Sequence, residues 1–236
     1  MRSDRTSRLL ACGVAASLVS VGLDLVCSAL QPGYQYSHQT VSELSAIGTP
    51  TRPLWVGVMT LVYEPLMLLF ALGLWRAAGA RWRLRVPALL LVVISVVGLA
   101  WPPMHMRGEP TSLTDTLHIA WTAAFGLLSM TTMAIASGAL GRSFRAFTLV
   151  SIAAILVAGA VTGSMSPPIP EGGATPWIGL VERVSVDGWA LWIAVFAVAL
   201  RRARQYRNDA VSPMSRILTQ RSAWWRATAA STSGRS

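Results

Sequence analysis

A chain of 236 residues that is 53% hydrophobic and only 13% charged, with repeated apolar runs of about 20 residues, is too apolar for a soluble domain and reads as a multi-span membrane protein. A net charge of +10 would suggest a nucleic-acid partner in a soluble chain, but here the charge is set between the apolar runs, so it reports membrane topology and nucleic-acid binding is set aside. All 20 basic residues are Arg; the absence of Lys is read as the nucleotide bias of a GC-rich bacterium.

In chain order the expected spans are 9–30, 54–75, 86–104, 117–140, 146–165 and 178–200, an all-α bundle of six transmembrane helices forming a membrane domain over 1–200. A basic tail, 201–236, follows and is expected to be disordered. Arg2, Arg5 and Arg8 precede the first span, Arg76, Arg81, Arg83 and Arg85 fill the second connection, Arg142 and Arg145 the fourth, and eight more follow Leu200. These 17 of the 20 fall on one side, so both termini are expected in the cytoplasm of a bacterial plasma membrane. The first run is long for a signal peptide and contains Asp24, so it is read as a span. Cys12 and Cys27, on one helix and about 22 Å apart, cannot bond to each other.

The longest polar interruption, 31–53, is expected to be an external lid. Thr40-Val41-Ser42-Glu43 has the form of a capping box, Gly48 offers a left-handed stop and Pro50 blocks continuation, which predicts one short helix over 41–47 with Val41, Leu44 and Ile47 on one side. Prolines end each odd-numbered span at the same surface: Pro32, then Pro102 and Pro103, then Pro167, Pro168 and Pro170. Gly159 and Gly163 form a GxxxG on the fifth span, expected to mark a close helix contact inside the bundle. In the tail, Arg201, Arg202, Arg204 and Arg207 should attract anionic lipids, and Ile217, Leu218, Trp224 and Trp225 fit a short interfacial helix.

Chemistry has to come from the polar residues, which gather toward the lid. Asp24 lies about 9 Å below the end of the first span, Glu64 about 15 Å down the second, and Glu182, Arg183 and Asp187 within about 15 Å of the start of the sixth. With Glu43 of the lid they are the candidate lining of an outward-facing polar pocket. Charges at such depth must face one another or water, and Arg183 and Asp187, one turn apart, are the expected pair. Asp115 and His118, at i, i+3 spacing, form a candidate acid–base pair; His105 and His118, with Asp115 or Glu64, are the candidate ligands for a metal. Gly163-Ser164-Met165-Ser166 lacks the pattern of an intramembrane serine protease, and no cofactor motif occurs. Three classes stay open: a transporter or small-molecule-binding protein, cation- or proton-linked; a membrane enzyme acting on a lipid or envelope precursor through His118 and a carboxylate; and an accessory protein of a membrane complex.

The Pro-Gly-Tyr and Ser-Glu-Leu-Ser pieces of the first loop, the turn Trp101–Met104 followed by Thr114–His118, and Gly179-Leu180-Val181-Glu182-Arg183-Val184 with Trp189 and Trp192 resemble the domain of unknown function 998 family over roughly 9–200. The resemblance implies six spans and a common site formed by the loop, His118 and Glu182-Arg183. It implies no substrate. Asp187 departs from the family's pattern, where an uncharged residue is expected.

Overall fold

In a computed structural model the chain is described over residues 2–232, with side chains over 5–206. It is all helical: α1 (Arg2–Leu30), a 3-10 turn (Val41–Ser45), α2 (Arg52–Ala78), α3 (Trp82–Leu99), α4 (Leu113–Ala136), α5 (Arg142–Met165) and α6 (Ile178–Thr232), with no strand among the described residues. Six helices are long and apolar enough to cross a membrane, which makes this a multi-pass membrane protein. The helical backbone of α6 runs on past Leu200, while the side chains of Ile217, Leu218, Trp224 and Trp225 lie outside the described residues.

The boundaries shift where local chemistry overrides hydropathy. The third span stops at Leu99 rather than 104, because Pro102 and Pro103 cannot supply helical N–H groups. The fourth starts at Leu113 because Ser112 and Asp115 close a capping box around the first turn. α2 is interrupted by a wide π turn, Met59–Tyr63, in which the Glu64 N–H reaches back to the Met59 carbonyl. Such turns insert an extra residue, and here Pro65 follows at once with no N–H of its own, so Glu64 sits at the weakest point of the span.

α1 packs against α2 and α6, α2 against α3, α3 against α4, and α5 against α6, while α4 and α5 touch sparingly beyond their short connecting turn. α1 and α2 approach so closely that a Cβ on Gly73 would stand 2.8 Å from the Leu9 Cβ. The core between them is Leu10, Met67, Phe70 and Leu74, joined to an aromatic ladder on α6 where Trp192 stacks 5.6 Å from Trp189 and lies tilted 4.9 Å from Phe196. The GxxxG expectation holds only in part. A Cβ on Gly159 would stand 3.8 Å from Ser185 Oγ of α6, whereas one on Gly163 would meet open space, because the face of α5 turned inward runs through Phe144, Thr148 and Ala158.

Candidate functional site

The lid is built as a local unit before it touches the bundle. Thr40 and Glu43 close the capping box, with the Thr40 N–H donating to Glu43 Oε2 at 2.7 Å, and Gly48 adopts φ +90° where the chain turns out of the lid. The helix is tighter and shorter than expected, a 3-10 turn ending at Ser45, because Ala46 is already extended; Val41 and Leu44 are buried but Ile47 is 38% exposed.

Two ion pairs fasten the lid down. The guanidinium of Arg183 donates bidentately to Asp24, Nε to Oδ2 and Nη2 to Oδ1, both at 2.8 Å. It also donates to the Tyr36 carbonyl at 2.7 Å and the Tyr34 hydroxyl at 2.9 Å, and lies 3.5 Å over the Tyr36 ring. The expected Arg183–Asp187 pair is therefore not formed. Asp24, across the α1–α6 interface, offers the planar fork two oxygens at once, and Asp187 is left half-buried a turn further along with no hydrogen bond to Arg183. Burial pushes the Tyr34 hydroxyl well above the usual tyrosine range, so it stays protonated and donates to the Thr40 carbonyl at 2.8 Å. The lid can sit so low because Gly179 has no side chain: a Cβ there would collide with the carbonyl oxygens of Tyr36 and Gln39.

The second pair joins Glu43 to Arg107, Nε to Oε1 at 2.8 Å and Nη2 to Oε2 at 3.0 Å. Arg107 also donates to the Gly173 carbonyl at 2.7 Å and to Thr175 Oγ1 at 2.9 Å, and Thr175 donates to the His38 carbonyl at 2.8 Å. One arginine thus ties all three loops at this end of the bundle. Sequence reading passed over Arg107, although it is one of only three arginines outside the basic clusters, and that isolation was the available signal.

Glu182 does not join Arg183. Its Oε2 accepts the Val41 N–H and its Oε1 accepts the Ser42 hydroxyl at 3.2 Å, so it caps the lid's 3-10 turn from outside. The same Ser42 Oγ lies 3.3 Å from His118 Nε2. At the other ring nitrogen, His118 Nδ1 is 2.8 Å from the Pro102 carbonyl and 2.9 Å from the Trp101 indole nitrogen. The lid, His118, Glu182 and Arg183 therefore occupy one end of the bundle within one connected network. Ser42 is its unforeseen member: its place in the capping-box stretch and in the Ser-Glu-Leu-Ser piece gives it no role of its own.

Asp115 and His105 form a separate structural unit. Asp115 accepts from the backbone N–H groups of Ser112 at 2.8 Å and His105 at 2.7 Å, and its Oδ2 is 2.9 Å from the His105 ring. Its oxygens are spent on the helix start, and it makes no hydrogen bond to His118, so the expected acid–base pair is not assembled. Among the described residues no three His, Cys, Asp or Glu side chains gather as a metal site, and His105 and His118 face different partners.

Glu64 stands apart from this network. It is 4% exposed and its Oε2 has no completed hydrogen bond; the hydroxyl of Ser95 on α3, which completes none either, is the group beside it that is placed to donate. The carboxylate lies where a side chain on Gly98 would be, since a Cβ there would collide with Oε1.

Residues 14–199 match the family described as Protein of unknown function (DUF998). No curated protein and no solved structure matches the chain.

Proposed function

Because the chain belongs to the DUF998 family, whose description names no activity, its function has to be argued from its own side chains, and we propose a proton- or cation-linked transporter or small-molecule-binding protein that works through Glu64. The observation that carries this reading is the buried carboxylate oxygen without a partner. A charged group inside a membrane is costly unless paired, and every other acid near it in the sequence reading has a structural task except half-buried Asp187. Glu64 also follows a π turn and precedes a proline, a combination that lets a span bend at the ionisable group. In cells with a phenotype that the intact gene complements, Glu64→Gln should abolish complementation while the melting temperature in detergent stays flat; full complementation sinks the reading.

The same reading places the lid and the polar network outward, both termini in the cytoplasm and the protein in a bacterial plasma membrane, with Arg201, Arg202 and Arg204 drawing anionic lipids of the inner leaflet. On a background lacking Cys12 and Cys27, an impermeant thiol reagent should label Ser37→Cys but not Ala80→Cys in intact cells. Labelling at position 80 overturns the orientation.

A second reading, a membrane enzyme, is favoured by one observation: the chain Glu182–Ser42–His118, in which a hydroxyl lies within reach of both a carboxylate and an imidazole. The carboxylate that shares a hydroxyl with His118 is then Glu182, through Ser42, rather than Asp115. His118→Ala would be the more damaging change under this reading, and complementation by both Glu64→Gln and His118→Ala would leave only an accessory role.

A further inference from the structure

The geometry points to Ser42 as a nucleophile that attacks the carboxylic ester of a membrane lipid, with His118 as its general base and Glu182 as the residue that positions it; this rests on the enzyme reading above. Three features carry the inference. Ser42 Oγ is 3.3 Å from His118 Nε2, the arrangement by which an imidazole takes a serine proton, and the serine is only half-buried. Its hydroxyl has a single hydrogen and two acceptors within reach, Glu182 Oε1 at 3.2 Å and the imidazole, so rotation about Cβ–Oγ turns it from a parked position to a reactive one.

The second feature is the other side of the ring. The Pro102 carbonyl can only accept and the Trp101 indole N–H can only donate, and both are within hydrogen-bond reach of Nδ1, at 2.8 and 2.9 Å. With the proton on Nδ1 the ring is held by Pro102 and Nε2 accepts from Ser42; with Nδ1 bare the ring is held by Trp101 and Nε2 donates to Ser42. General-base work at Nε2 uses the first of these tautomers: Nδ1 keeps its proton on the Pro102 carbonyl throughout, and only Nε2 takes a proton and returns it.

The third feature is the surroundings. His118 is flanked in α4 by exposed Leu117 and Ile119, and Glu182 in α6 by exposed Leu180 and Val184, so the polar dyad lies at the rim of a surface that in a membrane protein meets aliphatic chains. In the reaction, Ser42 Oγ bonds to the ester carbonyl carbon as its proton passes to His118 Nε2. The carbon–oxygen bond to the alcohol then breaks, and the alcohol leaves with that proton. Water adds to the acyl carbon, giving a proton to Nε2; the bond to Ser42 breaks, Oγ recovers the proton, and the fatty acid departs.

A fluorophosphonate probe tests this without a known substrate, because an activated serine displaces its fluoride and keeps the phosphonyl group. The full chain in phosphatidylcholine vesicles is treated with the probe and digested, and the adduct is located by peptide mass spectrometry. The adduct is expected on Ser42, absent in Ser42→Ala, and formed about 100-fold more slowly or worse in both His118→Ala and His118→Gln, with Ser164→Ala labelled like the native chain. His118→Gln keeps a polar side chain of similar size, so a loss in both variants at unchanged melting temperature is not a folding effect. No adduct above the heat-denatured control, or labelling that ignores His118→Gln, overturns the proposal. If in addition His118→Ala fails to complement while Ser42→Ala complements fully, the enzyme reading survives without this nucleophile. If both complement, the two fall together.

Discussion

Arg183 and Glu64 are both 4% exposed, and the bundle treats them in opposite ways. Around Arg183, three elements contribute acceptors: Asp24 and Ser28 from α1, the Tyr36 carbonyl and Tyr34 hydroxyl from the lid, and the Gly179 carbonyl from α6 itself. Around Glu64, one carboxylate oxygen has no completed hydrogen bond, and the neighbouring Ser95 hydroxyl completes none either. A buried ion that is paired and fully hydrogen-bonded holds an architecture together, whereas a buried acid left open is costly to keep and lowers in cost when it takes up a proton or a cation. The first region is therefore expected to fail structurally when cut, the second functionally.

The largest effect should come from breaking the paired site on one side only. Asp24→Ala strands the Arg183 guanidinium among buried neighbours, a loss of about 3–5 kcal/mol, visible as a sharp fall in melting temperature in detergent and in the yield of monodisperse protein. Replacing both partners, Asp24→Leu with Arg183→Met, should recover much of it, because no uncompensated charge remains. A double variant no more stable than Asp24→Ala would show that the pair is not what holds α1, α6 and the lid together.

A smaller loss is expected at the second fastening. Arg107→Ala leaves the buried Glu43 with Thr40 and the Gln39 amide but no counter-charge and unties the three loops, at about 1–3 kcal/mol. Hydrogen exchange should rise in 31–51, 100–112 and 166–177 together; a rise in one loop alone contradicts a common tie. Smaller again is the lid's own cap: Thr40→Ala removes the side-chain acceptor for the Glu43 N–H and should cost about 1 kcal/mol, and Gly48→Val forces a β-branched residue to φ +90°. Both should raise protease cleavage within 31–51 without lowering the bundle's melting temperature.

The smallest structural effect is expected at Glu64. Glu64→Gln removes the ionisable group while keeping shape, so the melting temperature should stay within a degree or two or rise slightly. A large drop would mean that Glu64 is paired in the folded protein, and the contrast with Arg183 would collapse.

Several of these features are visible in the amino-acid order itself, because their causes are local. Apolar runs long enough to cross a bilayer define six helices, Thr40 and Glu43 cap the lid turn three residues apart, and Gly48 takes its positive φ beside Pro50. The i, i+4 relation between Arg183 and Asp187 is local too, and there it misleads. Helical spacing says which side chains are near, but the packing of α1 on α6 decides that Asp24, far away in the chain, presents two oxygens in the plane of the guanidinium. Ser42, Glu182 and His118 meet because the lid folds over bare Gly179 onto α6 and α4, and Arg107 meets Glu43 because three loops converge at one end of the bundle. No spacing rule encodes either meeting, since each joins residues more than sixty positions apart. Glu64 divides between the two levels: its depth follows from its place in an apolar run, while its open oxygen is decided by Ser95 and Gly98 on the neighbouring helix, which supply room but no completed hydrogen bond.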